Sequence, residues 1–308
     1  MKSKTLFVFI ILTGFFHLTY SQTRNMIFKN TADSLRNEGN LKDAVAEYGR
    51  LYNQNPKDKT TLYNYACALS LFGQNDSCFK YLYIYLKRDT TTSVLTDPDF
   101  CPIRRDKRWN VLENKVINQL NVKYKNPYRN IEYAKKLWRM RALDQFGFNE
   151  IGIAIRKTGP NSSVVRSIWE CKFIIGEQNQ KELDELITKN GWPRIQAVGQ
   201  EAANTAFIII MHSNSVLINK YLTTIKQICI EKELPWERYA SIYDRALWYE
   251  KKPQKYGTHT QYNETTNAEE LYPLENEARV DENRKELGLE PLKDYLAKLN
   301  IKYEPKKK

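Results

Sequence analysis

Few residues in this 308-residue chain have the type and spacing that chemistry needs. Histidine occurs at 17, 212 and 259, and His212 closes the apolar run Ala206-Phe207-Ile208-Ile209-Ile210-Met211. A histidine held by a carboxylate can act as a general base if the two lie within hydrogen-bond reach. Glu201 returns to the same helical face as His212 but lies about 16 Å away along the axis, so it cannot orient the ring. Asp144 and Asp244 remain as partners. The catalytic reading is therefore a hydrolase-like enzyme with His212 as base and one of these acids behind it.

A second set of residues is suited to binding: Gln145, Arg245, Gln254, Tyr256 and Thr258. Lys251-Lys252-Pro253 signals a turn, and Gln254-Lys255-Tyr256-Gly257-Thr258 reads as a short extended segment. Its glycine between two hydroxyl side chains could hold a polar ligand or make a tight, closely packed bend. Just upstream, a helix starting at Pro235 carries Trp236, Tyr239, Ala240, Tyr243 and Leu247 on one face. With Trp236 as zero, Asp244 borders that face at about 80° and Arg245 opposes it at about 180°. A buried Asp–Arg pair fixing the 254–258 segment is the structural alternative to a ligand site.

Other chemistries lack their motifs. Gly-rich phosphate loops, serine elbows and His–Glu zinc motifs are absent. The cysteines, at 67, 78, 101, 171 and 229, are odd in number and include no CxxC pair. No metal site and no cofactor are expected. Cys67 and Cys78 fall on neighbouring helices, where burial as small apolar side chains is expected ahead of a disulfide.

The elements that would position these residues are mostly helices. Three- and four-residue apolar spacing predicts helices at 131–146, 162–175, 180–190, 199–212, 217–231, 235–249, 277–287 and 291–299. At most a small hairpin is expected, near 246–260, and 262–276 reads as polar loop. At the front, Phe28, Ala32, Leu35, Gly39, Ala44 and Tyr48 are echoed 34 residues on by Leu62, Ala66, Leu69, Gly73, Cys78 and Leu82, with Thr90 where the closing Pro56 would recur. This pattern resembles the tetratricopeptide repeat family, with two units over about 25–91. A decayed third runs through Asp97-Pro98-Asp99-Phe100 to a helix near 107–120, where Trp109 and Leu112 cover the stack. The fold class is thus mainly α: tetratricopeptide-like helical hairpins over 22–122, then a helical domain over 131–308, divided by the polar stretch 121–130. Such repeats bind an unknown protein or peptide partner, or act as a spacer.

Six ordered motifs carry a second resemblance. They are Asp144-Gln145, Gly191-Trp192-Pro193 with Val198 to Ala203, Met211-His212, Tyr243-Asp244-Arg245, Gln254 to Thr258, and Arg284 to Leu289. Together they resemble a bacterial family known only as domain of unknown function 6624, over about 131–299. The family implies no established activity. Met211, Asn214 and His259 stand where its pattern has Gln, an acid and Gln.

Composition narrows the setting. Apolar residues are 42% and charged residues 27%, as in a folded chain rather than a disordered one. The 48 basic and 36 acidic residues leave a net charge of +12. That excess is dispersed apart from Lys302 and Lys306 to Lys308, with no basic stripe of the kind nucleic-acid binding uses. Lys2 and Lys4, the apolar run Leu6 to Phe16 and the small-residue region at Ser21 read as a secretory signal peptide over 1–21. The run falls short of the ~20 residues that span a bilayer. The expected product is a secreted or periplasmic binding protein, not transmembrane after signal removal.

Overall fold

The computed structural model describes residues 31–125, 127–263 and 265–304. Residues 1–21, read as a signal peptide, lie outside them, as does Phe28, read as part of the first repeat. The chain is mainly α-helical with one small antiparallel hairpin, and it divides into two compact units, 27–209 and 210–308. Among the described residues no helix is long and apolar enough to cross a membrane.

The 27–209 unit begins with successive helices Thr31–Asn37, Leu41–Gln54, Lys59–Leu71 and Asn75–Leu86, each packed on the next. Gly39 and Gly73, 34 residues apart, turn the chain between members of a pair with φ of 78° and 80°. Ala32, Ala44, Ala66 and Cys78 are all fully buried, as close helix crossings require. Tyr81, Tyr83 and Tyr85 point three ways: to Tyr52 and Tyr65, to Lys115, and to Tyr63. Asp58 caps its helix by accepting from the Thr60 and Thr61 amides. The stretch read as a decayed third repeat is a 3-10 segment, Pro98–Arg105, followed by Lys107–Tyr124 with Asp106 as cap. Trp109 and Leu112 are buried there, and all five cysteines are free.

The Ile131–Gln145 helix packs directly on Pro98–Arg105 and Ser93–Thr96, across the polar stretch 121–130. One helix expectation is corrected. The helices expected at 162–175 and 180–190 are one helix, Ser163–Asn190. Gly176 costs that helix about 1 kcal/mol against alanine but, unlike proline, does not break it. A further helix, Phe148–Thr158, precedes it.

In the 210–308 unit, Ser215–Ile230 packs against Trp236–Tyr249. The hairpin is β1 Thr260–Asn263 with β2 Ala268–Leu271, Thr260 opposite Leu271. It therefore lies in the stretch read as loop, not at 246–260. Segment 254–258 is instead a loop with one isolated parallel bridge, Gln254 to Leu274. Val280, Leu292 and Leu296, from Val280–Glu286 and Leu292–Lys298, form a small core with Leu271, Leu274 and Tyr295 packed against it.

Candidate functional site

Asp244 is fully buried on the Trp236–Tyr249 helix and accepts from the loop beyond that helix. One oxygen takes the Lys255 and Tyr256 amides at 2.8 and 3.0 Å. The other takes the Tyr256 and Thr258 amides at 3.2 and 3.0 Å and the Thr258 hydroxyl at 2.8 Å. Burial pushes its carboxyl pKa up, and these hydrogen bonds offset only part of that rise. Asp244 thus ties the 254–258 segment through backbone amides, and not through an Asp–Arg pair. Arg245 lies over the Trp248 and Tyr249 rings, 5.9 and 5.6 Å from their centroids.

Gln254, also fully buried, makes the second tie. Its amide nitrogen donates to the His259 and Tyr272 carbonyls at 2.9 and 2.7 Å, and its amide oxygen accepts the His259 amide at 2.8 Å. Gly257 has φ 71°, and a Cβ there would come within 2.6 Å of Leu292 Cδ1, so both backbone and packing demand glycine. The Tyr256 ring sits edge-on to Tyr243 at 5.6 Å, and its carbonyl accepts from Arg284 Nη1 at 2.7 Å.

Arg284 is only 2% exposed. Its Nε donates to the Glu290 carbonyl at 2.6 Å and its guanidinium stacks 4.8 Å from the Tyr295 ring centroid. These bonds leave Nη2 without a protein partner among the described residues. Arg284 lines a cavity of about 420 Å³ with Ser241, Thr258, Tyr295, Glu237 and the Lys298–Glu290 pair, whose charges meet at 2.5 Å. Next to Thr258 in the chain is His259, whose Nε2 is buried with no hydrogen-bond partner among the described residues. Burial, helped by the Arg245 charge, pushes this imidazole down to about 4, so it is neutral near pH 7.

Of the sequence-predicted residues, Asp244, Gln254, Tyr256 and Thr258 are brought together, and Thr258 alone among them lines the cavity. His212 follows the Gln200–Met211 helix and is half-buried. Asp144 and Gln145 belong to the other unit, where the Gln145 amide donates to the Asp144 carboxylate at 2.6 Å. There Lys172 donates to the Asp144 and Phe146 carbonyls at 2.8 and 2.9 Å, finishing the Ile131–Gln145 helix. Burial pushes the Lys172 amine down to about 8. Sequence reasoning missed Arg284, Ser241 and Tyr295. Arg284 lies in one of the six ordered motifs, but an arginine in an acid-rich short helix reads as solvated.

One group with metal-ligand types occurs among the described residues: Cys67, Asp97 and Asp99, with candidate ligand atoms within 4.8 Å of one another. Arg36 pairs with Asp99, and the Tyr63 hydroxyl donates to Asp97 at 2.7 Å. Burial pushes the Cys67 thiol well up. A guanidinium already supplies the positive charge, so the cluster is an internal polar network.

A family model described as a family of unknown function, DUF6624, matches residues 151–308. No curated protein and no solved structure matches the chain.

Proposed function

The chain belongs to the family of unknown function DUF6624, and from that premise we propose that its 210–308 unit is a binding module for a small polar ligand carrying an acidic group. The observation that carries this reading is Arg284: a buried guanidinium with two nitrogens fixed by carbonyls and the third unpartnered at a cavity wall. Such preorganised donors recognise carboxylate or phosphate oxygens. Ser241, Thr258 and Tyr295 add hydroxyl groups along the wall. The cavity volume suits a small molecule.

The module sits in a secreted or periplasmic protein, which the basic start and short apolar run of residues 1–21 support. The 34-residue offset of the front helix pairs supports a tetratricopeptide stack, which docks an unknown protein or peptide. No nucleic acid is involved. The hydrolase reading has thinner support. Asp244, one of the two acids that would orient His212, already accepts from three amides and a hydroxyl of the 255–258 loop, which leaves its carboxylate little capacity to hold an imidazole.

Calorimetric titration of the full chain with acetate, succinate, glutamate and phosphate tests the proposal. Binding of at least one of them is expected in the parent, and Ser241→Leu, which plugs the cavity without touching the Arg284 bonds, should abolish it. Equal binding by parent and Ser241→Leu, or none by the parent, would sink the assignment.

A further inference from the structure

Four charged side chains line the cavity of the 210–308 unit, and only two of them neutralise each other. Lys298 and Glu290 meet at 2.5 Å. Arg284 and Glu237 form no ion pair among the described residues, either together or with a third group. The Arg284 guanidinium is 2% exposed, and its Nε and Nη1 are held by the Glu290 and Tyr256 carbonyls. Some side-chain atoms of the described residues are both sealed from solvent and without a partner, and none of them belongs to Arg284. Nη2 therefore keeps an open surface, and it opens where Arg284 lines the cavity. Burial lowers the Arg284 pKa despite the nearby Tyr295, Asp281 and Glu290, so the protein under-compensates this charge.

Glu237 supplies the opposite sign. It stands one turn before Ser241, and both line the cavity from the Trp236–Tyr249 helix. Arg284 and Tyr295 line it from Val280–Glu286 and Leu292–Lys298. The Ser241 and Tyr295 hydroxyls make no hydrogen bond among the described residues. The cavity thus has an uncompensated cation on one wall, an uncompensated anion on another, and an uncommitted hydroxyl beside each.

We propose that this cavity takes a free amino acid as its zwitterion, with the carboxylate on Arg284 and the ammonium on Glu237. The inference rests on Arg284 as the anchor for an acidic group and adds what the rest of the ligand must carry. A simple anion satisfies Arg284 but brings a second negative charge to the wall that holds Glu237. A simple cation satisfies Glu237 but meets the guanidinium. A zwitterion gives each protein charge its opposite, so neither is left unpaired when water is expelled. An ammonium has three donors and no acceptor, and the Ser241 oxygen, one turn along from Glu237, takes a second of its protons. A peptide bond at either end of the ligand removes one of its two charges, so the free amino acid is favoured over peptides. The volume of about 420 Å³ suits one such molecule.

The test is calorimetric titration of the full chain with matched pairs: L-alanine against propionate, γ-aminobutyrate against butyrate, and L-glutamate against glutarate. The pairs differ in the distance between the charges, and within each pair only the ammonium changes. Glu237 is exposed, so its ion pair is a modest one. In at least one pair the amino acid should bind about threefold tighter or more than its amine-free twin. Alanine amide, which keeps the ammonium and lacks the carboxylate, should not bind. Glu237→Gln should close the gap within the pair. If the acids bind and no amino acid exceeds its twin by about threefold, this inference falls and the acidic-ligand reading stands. If nothing binds up to about 10 mM, both fall. A gap that survives in Glu237→Gln, or alanine amide binding as tightly as alanine, also overturns the proposal. The parent titration decides without any variant, so misfolding of Glu237→Gln does not protect the idea.

Discussion

Replacing Asp244 by asparagine removes half of the acceptor capacity on which the 254–258 loop depends. Four donors converge on the carboxylate: the amides of Lys255, Tyr256 and Thr258 and the Thr258 hydroxyl. An asparagine carbonyl can take two of them. The other two then meet an NH2 group that is itself a donor. Each buried donor left unsatisfied costs about 1–3 kcal/mol, so Asp244→Asn should cost about 2–6 kcal/mol. That is a large share of the 5–15 kcal/mol typical of a folded domain. Urea denaturation gives the overall loss, and amide hydrogen exchange at Lys255, Tyr256 and Thr258 localises it. Protection at those three amides should fall before protection in the Lys59–Leu71 helix. If Asp244→Asn unfolds within about 1 kcal/mol of the parent with the three amides equally protected, the carboxylate is not what holds the loop.

Further outcomes follow from the same geometry. The His259 imidazole is pushed down to about 4 from an ordinary 6.5, so between these values the unfolded chain binds the extra proton. Stability from this group is therefore complete above pH 6.5 and lost as pH falls through 4, by at most about 3 kcal/mol; melting curves of parent and His259→Gln from pH 4 to 7 should converge at the acid end. Gly257→Ala meets both a left-handed backbone and the Leu292 side chain, and calorimetry should show a loss of about 2 kcal/mol or more. Ala44→Leu overpacks a fully buried crossing and should cost about 1–3 kcal/mol in chemical denaturation. Tyr256→Phe keeps the ring contacts with Tyr239 and Tyr243 and should shift stability by no more than about 0.5 kcal/mol; a large drop in melting temperature would mean that the hydroxyl makes a buried hydrogen bond.

Helices with strong apolar periodicity were legible from residue types alone. An end was legible where a glycine stands, as at Gly191, whereas the caps at Asp58 and Asp106 showed only in the structure. The unbroken Ser163–Asn190 helix was not, because Gly176 followed by polar residues looks like a terminus until neighbouring turns are seen to continue through it. The hairpin was misplaced for a different reason. The hydroxyl and amide side chains of Thr260–Asn263 resemble loop chemistry, and pairing with Ala268–Leu271 is a long-range fact that no local pattern carries. At the site, the Asp244 and Gln254 motifs were visible as points of interest, but their role was not. Whether a buried carboxylate faces a ligand or the backbone of its own chain depends on where a loop returns, and helical arithmetic stops at the helix end.

The Asp244 and Gln254 ties have a kinetic side as well. Asp244 reaches residues 11 to 14 positions on, and Gln254 reaches 5 and 18. Loops of about ten residues close in roughly 10–100 ns, and contacts of such short sequence separation are the ones that speed folding across proteins. The polar knot around 244–272 is therefore available before the Arg284 contact to Tyr256, 28 residues apart, can form.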